Sequence, residues 1–293
     1  MTVIAVAVSQ HPIVPVSSWQ DFTAHAETQV RSAADAGAQL LVFAEYGSMG
    51  LVTLLDESSR ATLAGQLAGL QGFAQDFSAL YRTLAQRFSV WIVAPSFPFA
   101  IAEKHYVNRA WIAGPRGQLF FQDKIHMTRF ETELFNISAA SDLKVIDAGE
   151  FTFAVAICYD VEFPEQVRAL AEAGADIIAV PSCTDSLHGF HRVLHCVRAR
   201  AVENQCFVAQ APLTGEAPWC EAIDVNVGRA GVFAPVDRGF PEDGVLAAGH
   251  CCADKNWHIA ACDISLMRDV RNDGQVLNWR DRQTVIRPAV RLC

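Results

Sequence analysis

Cys158 follows an apolar, β-branched run and precedes a stretch that favours the start of a helix. The run covers residues 151–157 (F-T-F-A-V-A-I), and Y-D-V-E-F-P-E follows the cysteine. A thiol at the mouth of a buried strand is rigid and can be reached by a substrate, and helix dipoles or nearby cations would favour its thiolate. The simpler interpretation is a cysteine that fills the core, as free cysteines usually do. Cys158 is therefore a candidate nucleophile.

Two other apolar runs end in charged residues. Residues 40–44 lead to Glu45 in F-A-E-Y-G, and residues 119–123 lead to Lys124 in Q-D-K-I-H. A carboxylate at the end of a buried run is costly unless it has a partner or a function. The carboxyl ends of strands in an open sheet share one crevice, so we expect Glu45, Lys124 and Cys158 to meet there. A buried ion pair would explain Glu45 and Lys124 and would leave the thiol unexplained.

Longer motifs around these residues match one known family. I-C-Y-D-V-E-F-P-E surrounds Cys158, P-S-C-T-D-S covers 181–186, and A-R-A-V-E-N covers 199–204. Together they resemble the nitrilase superfamily, the carbon–nitrogen hydrolases, over about residues 3–264. The resemblance implies a catalytic triad of Glu45, Lys124 and Cys158. It also implies a second glutamate after the lysine, and Glu131 matches that position.

Amide hydrolysis requires a nucleophile, a base, a proton for the leaving nitrogen and a donor to the oxyanion. Cys158 would form a thioester with the acyl group. Glu45 would move the thiol proton to the amine and later activate water, which it does best if burial raises its pKa. Lys124 and the backbone N–H of Tyr159 would stabilise the oxyanion. Glu131 would hold Lys124 and Glu45 in place or carry a proton.

The substrate is not determined by these motifs, because all branches of the family share the triad. We expect hydrolysis of a non-peptide carbon–nitrogen bond in a small amide. A nitrilase, an N-carbamoyl hydrolase, an acyl transferase that uses the same thioester and a non-catalytic scaffold stay open. Glu162 stands where many family members have an arginine, so a substrate carboxylate would lack its usual partner. Arg129 or Arg192 could supply one.

Composition excludes several classes of partner. The chain has 293 residues and a net charge of −9, which argues against nucleic acid and an anionic membrane surface. No apolar run approaches the roughly 18–20 residues of a membrane span. Nine cysteines without a C-x-x-C pair do not form a disulfide framework, so we expect a cytoplasmic protein that acts on a small molecule.

Three histidines could form a metal site. His188, His191 and His195 in H-G-F-H-R-V-L-H share one face of a helix, and three such ligands can bind zinc. There is no H-E-x-x-H, and the family resemblance implies no metal. We therefore expect no metal and no cofactor, although one of these histidines could contact the substrate.

Hydrophobic periodicity and turn residues predict alternating strands and helices. G-P-R-G at 114–117 predicts a hairpin. The alternation predicts an α/β protein with mixed sheets covered by helices, and the family resemblance implies a four-layer α-β-β-α sandwich of two such sheets. The predicted strands cover residues 3–8, 40–44, 90–94, 106–113, 118–122, 151–157, 176–180 and 206–211, and the predicted helices cover 18–36, 67–88, 164–173 and 189–204.

The chain contains no linker or repeat, and we expect one hydrolase domain over residues 1–264. Residues 265–293 would form a C-terminal arm, in which residues 268–293 carry six arginines against three aspartates. A solvated arm and a segment that crosses to a partner subunit both fit this composition. The resemblance implies a homodimer or a higher homo-oligomer.

Overall fold

The computed structural model describes residues 1–250 and 256–284, which contain two large sheets, a two-stranded ribbon and nine α-helices. The helices are α1 (Trp19–Asp35), α2 (Glu57–Arg60), α3 (Leu63–Leu70), α4 (Ala74–Phe88), α5 (Arg129–Glu133), α6 (Pro164–Glu172), α7 (Leu187–Asn204), α8 (Ile264–Asp273) and α9 (Asn278–Asp281). The strands are β1 (Val3–Ser9), β2 (Leu40–Val42), β3 (Trp91–Val93), β4 (Phe97–Ala102), β5 (His105–Ala113), β6 (Leu119–Asp123), β7 (Val145–Asp147), β8 (Thr152–Val155), β9 (Ile177–Ser182), β10 (Phe207–Pro212), β11 (Gly215–Glu216), β12 (Val225–Asn226), β13 (Gly231–Phe233), β14 (Val245–Ala248) and β15 (Trp257–Asp263).

Each large sheet has a parallel centre and antiparallel edges. The first has the order β15-β1-β2-β3-β5-β4, with β6 paired to β5, and the second has the order β14-β13-β10-β9-β8-β7. β1, β2 and β3 run parallel, as do β8, β9 and β10. Parallel strands are usually covered on both faces, which explains why these segments are apolar throughout.

The two sheets face each other, and helices cover their outer faces. In β1, Val6 and Val8 pack in the core between the sheets, while Ala7 points to the opposite side with residues of α1 and α4. This alternation follows from the two-residue period of a strand. On the far side of the second sheet, α6 and α7 contribute Val167 and Val193 to its core. The structure therefore confirms the predicted α-β-β-α sandwich.

Several predicted elements form with their expected ends. The Ser18 hydroxyl caps α1 by accepting a 3.1 Å hydrogen bond from the Asp21 N–H. Gly37 follows α1 with φ of +85°, a conformation that glycine adopts without steric cost. β5 and β6 pair around the predicted hairpin.

The predicted helix over residues 67–88 is wrong in its continuity and in its start. Thr62 caps α3 by accepting a 3.0 Å hydrogen bond from the Gly65 N–H. A 3₁₀ turn over Gln71–Phe73 then separates α3 from α4. Gly72 lies in this turn, where glycine lowers the preference for an α-helix. The apolar spacing was the same in both helices and did not reveal the break.

The first part of the predicted C-terminal arm packs on the domain. α8 follows β15 directly, and its Met267 and Val270 are buried. Asp263 caps α8 by accepting a 2.9 Å hydrogen bond from the Leu266 N–H. Residues 285–293 of the predicted arm lie outside the described residues. The domain boundary and the role of the arm at a subunit interface stay predictions.

Candidate active site

The three triad candidates follow the ends of different strands and meet in one cleft. Glu45 comes after β2, Lys124 comes directly after β6, and Cys158 comes after β8. Glu131 lies in α5 and reaches the same place. All four side chains are buried, and they line a cleft of about 290 Å³. The crevice expected from the strand ends is therefore present.

Lys124 connects two carboxylates. Its Nζ donates hydrogen bonds of 2.8 Å to Glu45 Oε1 and 2.7 Å to Glu131 Oε2. The Lys124 side chain is only 1% exposed, so the desolvation of its charge is compensated by these partners. The buried ion pair that the sequence suggested for Glu45 and Lys124 thus includes Glu131 as a third member, and Cys158 lines the same cleft.

Glu131 is held by its own helix. It occupies the third position of α5 and forms a capping box with Thr128. Its Oε2 accepts 2.9 Å hydrogen bonds from the Thr128 N–H and hydroxyl. Its Oε1 accepts a 2.7 Å hydrogen bond from the Tyr46 hydroxyl. These contacts fix the Glu131 carboxylate toward Lys124.

Asn108 is a site residue that sequence reasoning missed. It lies in β5, and its Nδ2 donates a 2.8 Å hydrogen bond to Glu45 Oε1. Its backbone carbonyl also accepts a 2.9 Å hydrogen bond from the Lys124 N–H. The sequence does contain a signal for Asn108, which is an amide inside the apolar stretch Y-V-N-R-A-W-I-A. A polar side chain in such a stretch needs hydrogen-bond partners, and the structure shows Asn108 fully buried.

Cys158 lies on a strained turn. Its φ is +49°, a left-handed conformation that non-glycine residues adopt rarely and often at functional sites. It begins a 3₁₀ turn over Cys158–Glu162, and its Sγ donates a 3.5 Å hydrogen bond to the Cys183 carbonyl. Tyr159 follows in the same turn. N–H groups at the start of a helical turn lack intrahelical acceptors, so that of Tyr159 is suited to accommodate an oxyanion.

Asp160 ties this turn to the segment that follows Lys124. Its carboxylate is fully buried and accepts hydrogen bonds from the N–H groups of Ile157 at 3.2 Å, Ile125 at 3.2 Å and His126 at 2.8 Å. Asp160 belongs to the cysteine motif, but the motif by itself indicated no role for it. Its side chain fixes the spacing between the nucleophile turn and Lys124.

Burial dominates the acid–base properties of the site. It raises the pKa of Glu45 to about 7, against the opposing effect of Lys124. Burial also raises the pKa of Cys158 well above its usual value, and the nearby Glu45 adds to this effect. The cation Lys124 lowers the pKa of Cys158, as expected from the sequence, but burial and Glu45 outweigh it. A raised pKa favours the protonated thiol, whose Sγ donates its hydrogen bond to the Cys183 carbonyl.

The other two charged groups stay ionised. Burial alone would lower the pKa of Lys124, but Glu131 and Glu45 outweigh it and raise that pKa well above its usual value. Burial would raise the pKa of Glu131, but the charge and hydrogen bond of Lys124 outweigh it, so that pKa is lowered. The site therefore combines a cation, an anion and a carboxyl group whose pKa lies near 7.

The arginines considered for a substrate carboxylate lie in different environments. Arg192 lines the cleft, and its Nε donates a 2.7 Å hydrogen bond to Glu162. Arg129 pairs instead with Glu133 on the surface, and its side chain is 87% exposed. A third arginine, Arg200, is buried and donates hydrogen bonds to Glu203 and the Val161 carbonyl.

The three histidines of α7 lie on its exposed side. The rings of His191 and His195 are 6.0 Å apart, and His188 is also exposed. Among residues 1–250 and 256–284, no three His, Cys, Asp or Glu side chains are arranged to hold a metal ion. In the same residues no helix is long and apolar enough to cross a membrane.

Comparison with known proteins identifies the class of protein to which this fold and its buried strand-end residues belong. The family model for carbon–nitrogen hydrolases matches residues 5–265. The chain therefore belongs to the carbon–nitrogen hydrolase family, within the nitrilase superfamily, as its motifs predict. The cleft lies inside the matched region.

Solved structures share this fold. A carbon–nitrogen hydrolase from Helicobacter pylori G27 superimposes with a TM-score of 0.75 at 19% identity, covering 92% of both chains. Saccharomyces cerevisiae Nit3, a member of branch 10 of the nitrilase superfamily, has a TM-score of 0.70 at 20% identity and covers 92% of this chain and 93% of its own.

Curated relatives are similar over different portions of the chain. The probable hydrolase YhcX of Bacillus subtilis (strain 168) is 31% identical over 280 residues, which are 96% of this chain and 54% of the relative. The deaminated glutathione amidase of Synechocystis sp. is 34% identical over 149 residues, which are 46% of this chain and 54% of that protein. The chain thus spans about half the length of these relatives.

Proposed function

We propose that this protein hydrolyses the carbon–nitrogen bond of a small amide through a thioester on Cys158. The observation that carries this proposal is the meeting of Cys158, Glu45 and Lys124 in one buried cleft, where the pKa of Glu45 is raised to about 7. A base of this pKa can accept a proton and return it near neutral pH. Lys124 lies 2.8 Å from the same carboxylate and supplies the positive charge.

In the first half-reaction, Sγ of Cys158 attacks the amide carbonyl carbon as its proton passes to the Glu45 carboxylate. Negative charge develops on the carbonyl oxygen, where Lys124 and the Tyr159 N–H stabilise it. One preorganised donor of this kind contributes roughly 3–4 kcal/mol to lowering the barrier. Glu45 then gives its proton to the leaving nitrogen, the carbon–nitrogen bond breaks, and the amine departs from the thioester.

In the second half-reaction, water attacks the thioester carbonyl while Glu45 accepts its proton. The carbon–sulfur bond breaks, the carboxylic acid leaves, and the Glu45 proton returns to Cys158. Glu131 keeps Lys124 charged and oriented in both steps, since it remains ionised 2.7 Å from Nζ. The overall reaction consumes one water and needs no cofactor.

The names of similar proteins support an amidase. The curated relatives include deaminated glutathione amidase and the 2-oxoglutaramate amidase of Bacillus subtilis (strain 168), which is 32% identical over 169 residues. In a variant amidase from Nesterenkonia sp. AN1, the acetamide moiety of fluoroacetamide adds covalently to the active-site cysteine. The names of the curated relatives favour amide hydrolysis over the other expected reactions.

The test is ammonia release from a panel of small amides, monoamides of dicarboxylic acids, carbamoyl compounds and nitriles. Wild-type protein should release ammonia, and Cys158→Ala should release none while unfolding at the same temperature. Cys196→Ala, which removes a thiol from α7, is the matched control and should keep full activity. Substantial ammonia release by purified Cys158→Ala would refute the thioester mechanism. Hydroxamate formation with added hydroxylamine would reveal acyl transfer from the same thioester.

A further inference from the structure

The cleft that contains Cys158 is negatively charged. Within residues 1–250 and 256–284, seven charged side chains line it, five carboxylates and two cations. Lys124 is already paired with Glu45 and Glu131, and these three belong to the proposed chemistry. The other four charged residues determine the charge that a substrate meets away from Cys158. They are Asp185, Arg192, Glu221 and Asp224.

Arg192 is half-exposed, and Glu162 offsets its positive charge in this cleft. Its Nε lies 2.7 Å from Glu162 Oε1, and the Glu162 side chain is only 12% exposed. The hydrogen bond and charge of Glu162 raise the pKa of Arg192. A substrate carboxylate that approached this guanidinium would bring a second negative charge close to that of Glu162.

The three remaining carboxylates lie at the exposed mouth of the cleft. Asp185 accepts a 3.0 Å hydrogen bond from the Ser186 hydroxyl, and Asp224 accepts a 2.8 Å hydrogen bond from the Val225 N–H. These donors are uncharged, so they leave the negative charges in place. Glu221 begins the 3₁₀ turn over Glu221–Ile223 beside them. Like charges that line a cleft concentrate counter-ions in it, because its low-dielectric walls focus the field.

We propose that the substrate is an amide that bears a positive charge, as an ammonium or guanidinium group, which the mouth of the cleft recognises. This inference rests on the proposed hydrolase function and names its substrate class. Asp185, Glu221 and Asp224 attract the cation. Glu162 is a specificity-determining residue because it offsets the charge of Arg192 and thereby weakens the attraction of an anionic substrate.

The test compares three amides of similar length and different charge, which are 6-aminohexanamide, hexanamide and the monoamide of adipic acid. Binding is measured by calorimetry on Cys158→Ala, which retains the cleft and lacks the nucleophile. The cationic amide should bind roughly tenfold more tightly than the neutral one, and the anionic amide most weakly. The preference should shrink at high salt, because these carboxylates are exposed to solvent.

Variants in the same background identify the residues responsible. The double substitution Glu221→Gln and Asp224→Asn should lower the cationic-to-neutral affinity ratio about fivefold. Glu162→Gln should free Arg192 and raise the affinity for the anionic amide by a similar factor. Glu103→Gln, which removes an exposed carboxylate between β4 and β5, is the matched control and should leave all three affinities unchanged.

The two proposals fail in different ways. Equal binding of the three amides, or tighter binding of the anionic one, would overturn the cationic substrate class even if wild type hydrolyses them. If the cationic amide binds most tightly but wild type hydrolyses none of the three amides, the proposed hydrolase activity would be overturned. The proposed recognition of a positive charge would then still stand. Ammonia release by wild type in the order cationic, neutral, anionic would support both.

Discussion

The Tyr46 hydroxyl donates a 2.7 Å hydrogen bond to Glu131 Oε1, and through Glu131 it orients the ammonium of Lys124. Tyr46 directly follows Glu45 and has φ of +56°, so the backbone turn after β2 sends the two side chains to different members of the same network. Tyr46 is buried and its pKa is raised, first by burial and then by Glu131 and Glu45. It therefore stays a neutral donor.

Tyr46→Phe should lower kcat about tenfold and leave KM within a factor of two, because Glu131 loses a donor while the cleft keeps its shape. The free energy of unfolding should fall by roughly 2 kcal/mol. Steady-state kinetics and urea unfolding measure the two effects. Tyr81→Phe is the matched control. Tyr81 is buried against Phe43 and Phe77, and this substitution should leave kcat unchanged. Equal kcat values in both variants would contradict the positioning role of Tyr46.

Activity should rise with pH through a pKa near 7. The Glu45 carboxylate is the proposed base, and burial raises its pKa to about 7. Below that pH the carboxyl group is protonated and cannot accept the Cys158 proton, so kcat/KM should fall tenfold per pH unit on the acid side. Glu45→Gln should be inactive at every pH. A wild-type profile that is flat from about pH 5 to pH 8 would exclude Glu45 as the base.

Ionisation of Glu45 should lower the stability of the folded protein as the pH rises, whereas it should raise activity. Glu45 has a pKa of about 7 in the folded protein and a usual value of 4.5, so the folded state binds the proton more tightly than the unfolded state does. Its contribution to stability is present below pH 4.5 and is lost as the pH rises through 7. The free energy of unfolding of wild type should therefore fall relative to that of Glu45→Gln over this range. Urea unfolding at a series of pH values would measure the difference, and a constant difference would contradict the raised pKa.

Asp160→Ala should be strongly destabilising. The Asp160 carboxylate accepts hydrogen bonds from three backbone N–H groups, including those of Ile157 and His126, and its loss leaves these donors unpaired. The free energy of unfolding should fall by roughly 3 kcal/mol. Asp147→Ala is the control, because Asp147 is exposed and accepts a turn hydrogen bond from the Gly149 N–H. Similar losses in the two variants would argue against a special role for Asp160.

α8 should contribute to the stability of the domain. Met267 is fully buried, and Met267→Ala would leave a cavity in the core, so the free energy of unfolding should fall by roughly 3 kcal/mol. Val276→Ala, at a side chain that is 54% exposed, should change it by less than about 0.5 kcal/mol. Denaturant unfolding would measure both. An unchanged stability of Met267→Ala would mean that α8 separates from the domain in solution.

Local patterns determined much of the fold and of the candidate site. Apolar runs placed the central strands, and the residue that follows each run identified Glu45, Lys124 and Cys158. Such signals are visible in a sequence because strand period and capping depend on near neighbours. The split between α3 and α4 was missed, since the apolar face continues across Gly72 and only the chain path shows the break.

The sequence by itself determined the family, the sandwich and the types of residue that could do chemistry. Only the tertiary structure decided how they interact, because Asn108 reaches Glu45 across 63 residues and Tyr46 reaches Glu131 across 85. It also decided the protonation states. Two packed sheets remove water from Cys158 and Glu45, and this desolvation raises both pKa values where local sequence favours a thiolate.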